Sequence, residues 1–185
     1  MRTVAEKGYG ATTVGDLTRE AGVSRTTFYE LFDDKEDCFL AAFDDAVDIM
    51  VRRVTRAYER EERWPERARA GLAALLELLA EEPTLGHLAL IEIGAAGPAA
   101  QRRYWAAIQR LTPLFDEGRS FAPGGRQLPA NTARMAIGGV TGLIADELMA
   151  GRAEQLPDLI SDVVFATLMP YLGPQAAARE VGALS

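Results

Sequence analysis

The chain has 185 residues, 48% hydrophobic and 25% charged, which is ordinary for a globular protein and enough to bury a substantial core. A net charge of −7 excludes a generally basic coat, no apolar run reaches the roughly 20 residues of a bilayer span, and no secretory signal opens the sequence. One cysteine, Cys38, and one histidine, His87, give neither an internal disulfide nor the spacing of a metal cage or a Cys/His nucleophile pair, so the chain reads as cytoplasmic, without cofactor or metal.

Arg2–Lys7 reads as a short helix, marginal alone because Val4 and Ala5 have few apolar partners before them. Val14–Ala21 is the next helix. Thr13 is its N-cap, Asp16 its capping-box partner, and Leu17 and Ala21 share one face. Gly22-Val23-Ser24 makes a tight turn, in which Gly22 suits the left-handed conformation that ends a helix and Ser24 caps the one that follows. That helix, Arg25–Leu31, leads with Arg25, Thr26 and Thr27 and is expected to turn Phe28, Leu31 and Phe32 inward. Two short helices crossing at a glycine turn, the second led by small polar and basic side chains, form the pattern of a helix-turn-helix DNA reader.

Lys35–Tyr58 reads as one long helix capped by Asp34, with Phe39, Phe43, Ala46, Val47, Met50, Val51 and Val54 at helical spacing. It would join a reading head to a body. After a charged break, Pro65 starts a helix striped by Leu72, Leu75, Leu76 and Leu79. Pro83 opens a short segment to about Ile93, and Gly94–Pro98 breaks the chain again. Pro98–Asp116 is helical, with Tyr104, Ile108, Leu111 and Phe115 on one side and Pro113 as a point of kinking or early ending. Gly118–Ala130, containing Pro123-Gly124-Gly125, reads as the most mobile loop. Two final helices follow, about Asn131–Ala150 and Glu154–Leu172. Gly138, Gly139 and Gly142 each cost about 1 kcal/mol relative to Ala inside a helix, which calls for a packing reason such as close helix approach. The expected fold is all-α, with residues 1–45 as the helix-turn-helix module and 46–185 as a helical body.

Gly8-Tyr9, Thr12-Thr13, Ala21-Gly22-Val23-Ser24, Thr27, Tyr29, Phe32 and Lys35-Glu36 stand in the order and spacing of tetracycline-repressor-like (TetR) transcriptional regulators. The chain resembles that family over about forty residues, and less diagnostically from Pro157 to Pro174. The resemblance implies a homodimeric regulator, by family habit a repressor, that binds double-stranded operator DNA and is released by a small effector. DNA contacts then fall to Thr13, Ser24, Arg25, Thr26, Thr27, Tyr29 and Lys35, with Thr13 and Ser24 equally readable as plain caps. The family's effector pocket would be walled by Leu72, Leu76, His87, Ile91, Tyr104, Ile108, Leu111 and Leu143, suiting a hydrophobic or amphipathic molecule. Its dimer interface would use Gly139, Gly142, Leu156, Leu159, Ile160, Val163, Val164 and Thr167. Thr26 replaces the family's usual Gly, and Glu30 stands where many relatives have His. The first helix is shorter than the family's, and a truncated start is the expectation.

Residues 1–56 hold eight Lys/Arg against eleven Asp/Glu, so phosphate affinity should be modest. A dimeric helical ligand-binding protein that has lost DNA binding is therefore the alternative. An enzyme is disfavoured, because no set of catalytic groups converges and Arg102-Arg103 reads as a solvated pair.

Overall fold

The computed structural model describes residues 1–123 and 127–182. Its helices are α1 (Arg2–Lys7), α2 (Val14–Ala21), α3 (Arg25–Leu31), α4 (Lys35–Tyr58), α5 (Trp64–Glu81) and the single turn α6 (Pro83–Gly86). A widened turn, His87–Ile91, and a tight one, Glu92–Ala95, lead to α7 (Gly97–Asp116). Beyond lie α8 (Thr132–Met149), α9 (Ile160–Leu172) and α10 (Pro174–Gly182). Among the described residues there is no strand, and no helix is long and apolar enough to cross a membrane. The architecture is all-α, as expected. Of the loop read as mobile, residues 124–126 lie outside the described residues.

The boundaries of α1 to α4 follow from their caps. Thr13 and Asp16 form a complete capping box, Ser24 Oγ accepts from Thr27 N–H at 3.0 Å, and Asp34 accepts from Asp37 N–H at 2.9 Å. Gly22, at φ 69°, ends α2 in the left-handed conformation. Glu20 on α2 accepts the backbone N–H groups of Arg2 and Thr3, and so caps α1 from outside.

Three expectations need correction. Leu31 is 69% exposed: α3 buries only Phe28, and the extended backbone at Phe32 brings that ring to 5.5 Å from Phe28 instead. The segment read as one helix from Glu154 to Leu172 is two elements. Pro157 has no N–H to continue an α-helical ladder, so Ala153–Leu159 is a tighter 3₁₀ stretch and α9 begins at Ile160. The chain also does not close at Leu172, because Pro174 starts α10 after Gly173 turns the backbone at φ 79°.

The core forms around α5, which packs on α4, on the Ala153–Leu159 stretch and on α9. Leu72, Leu76 and Leu79 are buried along it. Trp64, at its start, is fully buried, with Tyr171 packed edge-on at 5.1 Å and its Nε1–H donated to the Leu114 carbonyl at 2.9 Å. The backbone at Gly118 passes so close that a Cβ there would sit 2.4 Å from the Trp64 ring. Replacing Trp64 by Ala should lower unfolding free energy by about 3–5 kcal/mol, through lost contact and the cavity left behind. Urea titration followed by circular dichroism measures it, and a loss below 1 kcal/mol would show that this site collapses freely.

Candidate DNA-reading face and effector cavity

The turn between α2 and α3 sets the leading end of α3 outward. Ser24, Arg25, Thr26 and Tyr29 are exposed and Thr27 half-buried, while Phe28 anchors the helix from beneath. Arg25 Nη2 lies 3.1 Å from the point where a Cβ would project at Gly15, with Thr13 Oγ1 3.6 Å from that point. Arg25 and Thr13 thus both flank Gly15 in the first turn of α2, although eleven residues separate them in sequence. Ser24 and Thr27 are also tied to each other, their hydroxyls 3.0 Å apart.

The head's other cations are partly engaged. Lys7 and Arg19 both reach Asp16 at 3.0 Å. The Thr13 hydroxyl, then Lys7, hold the Asp16 carboxyl well below the usual carboxylate range. Lys35 turns inward: its Nζ donates to the Tyr9 carbonyl at 2.8 Å and sits 4.2 Å from the centre of the Tyr9 ring. Among the described residues neither Arg2 nor Arg25 forms an ion pair. Glu30 is exposed on the same short helix as Arg25.

The Tyr9 peptide is held from both sides. Its carbonyl takes Lys35, and its N–H donates to Glu92 Oε2 at 2.6 Å, across 83 residues of sequence. Gly8, at φ 81°, lets the loop after α1 approach that carboxylate. Glu92 belongs to the irregular stretch that also supplies Ala89 and Leu90 to a cavity wall. Sequence reasoning missed it, since a lone glutamate between helices carries no local signal.

Two apolar cavities lie side by side within the body. The first, about 40 Å³, is bounded by Tyr58, Leu72, Phe115, Ile137 and Thr167 among others. The second, about 60 Å³, runs from Phe43 and Met50 of α4 to Tyr104 and Ile108 of α7. Val54, Leu75, Leu111 and Thr141 line both, so movement of Leu75 and Leu111 would join them. Of the expected pocket residues, Leu72, Tyr104, Ile108 and Leu111 line these spaces. Leu76 is instead core at 1% exposure, and His87, Ile91 and Leu143 are half-buried away from both. The first cavity has few polar handles. Thr141 spends its hydroxyl on the Ile137 carbonyl, whereas Thr167 Oγ1 is buried without a partner. At its rim Glu117 meets the Tyr58 hydroxyl at 2.6 Å and Arg67 at 2.8 Å; burial, then Glu117, push the Tyr58 phenol up.

The outer face of α8 and α9 is apolar. Met135, Gly138, Gly139 and Gly142 are exposed on α8, and Phe165, Ala166 and Met169 on α9. A Cβ at any of these glycines would meet nothing within 4 Å, so no neighbour within the subunit requires them. Leu156, Val163, Val164 and Thr167, expected at a subunit interface, are 0–1% exposed inside the subunit, and Leu159 and Ile160 are half-buried. The correction has a helical cause: the arc spanned by positions 163, 164 and 167 faces α5, which leaves 165, 166 and 169 outside.

The described residues form a helix-turn-helix head on an all-helical body with internal apolar cavities. Residues 1–42 match the family model of bacterial regulatory proteins, tetR family. No curated protein matches the sequence. Among solved structures it is similar to the fatty acid degradation regulator FadR from Bacillus halodurans, at 19% identity and a TM-score of 0.79, over 90% of this chain and 92% of that one. FadR from Bacillus subtilis in complex with stearoyl-CoA gives 19% and 0.75, over 93% and 94%. A tetR-family regulatory protein from Rhodococcus RHA1 gives 17% and 0.73, over 92% of each.

Because Glu92 is the hydrogen-bond acceptor found for Tyr9 N–H, Glu92→Ala should speed exchange of that amide by about tenfold or more, as expected for a bond to a charged group. Hydrogen exchange read by NMR decides it. An unchanged rate at Tyr9 would mean the contact gives no protection in solution.

Proposed function

We propose that the protein is a repressor that binds operator DNA as a homodimer and is released by an effector with a long apolar tail. The observation that carries this is the outward leading end of α3, where Arg25, Thr26 and Thr27 are offered on a helix anchored only through Phe28. Arg25 would read a guanine edge or hold a phosphate. Thr13 and Tyr29 would brace the backbone of the duplex. Residues 1–45 act as the reader and 46–185 as the sensor and dimer-former, with α4 running through both.

The apolar outer face of α8 and α9 supports the homodimer, because exposed Met135, Phe165 and Met169 beside three open glycines allow two backbones to approach closely. Two heads held by such an interface would meet half-sites about one DNA turn apart. The effector class is supported by the cavity linings and by the stearoyl-CoA complex of the Bacillus subtilis regulator. A fatty acyl chain would widen and join the two cavities, displace the wall at Ala89 and Leu90, and pull Glu92 from Tyr9. The heads would then no longer match both half-sites. The protein acts on DNA in the cytoplasm and carries out no catalysis on this reading.

One observation favours a second reading, a ligand-binding protein without DNA affinity: Lys7, Arg19 and Lys35 are engaged within the head, and Glu30 lies on the reading helix. Fluorescence anisotropy with duplex DNA from upstream of its own gene, against scrambled DNA over a salt series, separates the two. Sequence-dependent binding that weakens with salt and with added stearoyl-CoA supports the repressor; equal or absent binding to both DNAs supports the alternative. Arg25→Ala should weaken specific binding by about 1–3 kcal/mol and leave the dimer intact. Phe165→Glu combined with Met169→Glu should give a monomer at micromolar concentration in analytical ultracentrifugation, and a persistent dimer would move the interface elsewhere.

A further inference from the structure

Two ion pairs span the seam between α4 and α7, alongside the larger cavity. Arg103 on α7 pairs with Asp44 on α4, and Arg110 pairs with Asp48 at 2.6 Å. Each charged residue is next in sequence to a lining residue: Asp44 follows Phe43, Asp48 follows Val47, Arg103 precedes Tyr104 and Arg110 precedes Leu111. All four side chains are 42–50% exposed, so they stand where the apolar lining gives way to water. Pairs this exposed hold weakly and exchange partners readily.

Among the described residues no charged side chain lines the cavity itself. A molecule that fills it with an apolar tail must keep any ionised head at the mouth, because an unpaired charge is costly to bury. Arg103 and Arg110 are the cations of this seam. Seven residues apart, they lie two turns along one face of α7, and their planar forks match carboxylate and phosphate oxygens. We infer that the α4–α7 seam is a head-group site for an anionic amphiphile. Arg103 and Arg110 leave Asp44 and Asp48 and take the ligand's carboxylate or phosphate, while its tail occupies the cavity. This rests on the effector reading above and adds the charge of the effector and the residues that hold it.

The exchange also acts on α4. Asp44 and Asp48 lose their partners across the seam and face the incoming anion, with Arg52 on the same helix, 3.9 Å from Asp48, left as a local counter-charge. Like-charge repulsion then loosens the hold of α4 on α7, and α4 carries the reading head at its N-terminal end.

Stearoyl-CoA, stearate and stearyl alcohol share a tail and differ in the head, so calorimetric titration with each isolates the charge term. Arg103→Gln with Arg110→Gln should weaken binding of an anionic probe by about tenfold or more and leave the alcohol within about twofold. Asp44→Asn with Asp48→Asn, which frees the arginines, should tighten the anionic probe. A loss with stearoyl-CoA marks the phosphates as the group held, and a loss with stearate marks the carboxylate. Equal losses for all three probes, or none, overturn the inference and leave the pairs as simple braces. Wild-type protein that binds none of the three removes the effector reading and this site together, whereas binding insensitive to the arginines removes this site alone. Thermal melts of both double variants show that they are folded.

Discussion

One helix has to satisfy two cores. Over twenty-four residues, about 36 Å, α4 buries Phe39 and Leu40 near the end that carries the head and Phe43, Val47, Met50, Val54 and Tyr58 toward the body. A helix of that length with buried residues along its whole run does not bend cheaply, so displacement at one end reaches the other. The reading head is too small to be stable by itself, with α1 of six residues, α2 of eight and α3 of seven. Its position is therefore set by α4, by packing of α1 on the His87–Ile91 turn and by the hydrogen bond between Tyr9 N–H and Glu92.

Charge in the head is used locally before it is offered outward. Asp16 completes the capping box of α2 and also gathers Lys7 and Arg19, so a single carboxylate fixes a helix start and occupies two cations. Lys35 holds the Tyr9 peptide. These are cheap ways to order a small module with few apolar residues, and they reduce the charge left for a polyanion. On the proposed reading, recognition by such a head would depend more on shape and on Arg25 than on a basic surface, which suits a protein whose overall charge is negative.

Much of this was legible in the sequence, and the legible parts share a cause. Caps, turns and the stripe of α4 are set by residues within about four positions of each other, so Thr13, Gly22, Ser24 and Asp34 announce α2, α3 and α4. The failures are non-local. Leu31 has the spacing of a buried residue, yet α3 ends before the chain can place it inside, and Phe32 fills that space. The inward Lys35 needs a partner 26 residues away, and Arg103, which reads as solvated surface, needs Asp44 across 59 residues. The cavity walls were half legible. Helical periodicity marks a face as apolar, but only packing decides whether that face meets a void, as at Leu111, or solid core, as at Leu76.

The two small voids have a thermodynamic side. Cavities of about 40 and 60 Å³ among apolar side chains each forgo about 1–1.5 kcal/mol of packing. The empty protein is softer at its centre than its composition requires. Hydrostatic pressure acts on that kind of internal space, and a ligand that fills it raises the melting point with the logarithm of its free concentration above its dissociation constant. On the proposed reading, a chain built this way would couple its own durability to the supply of its effector, so scarcity of that molecule would set not only the state of the protein but how long each copy lasts.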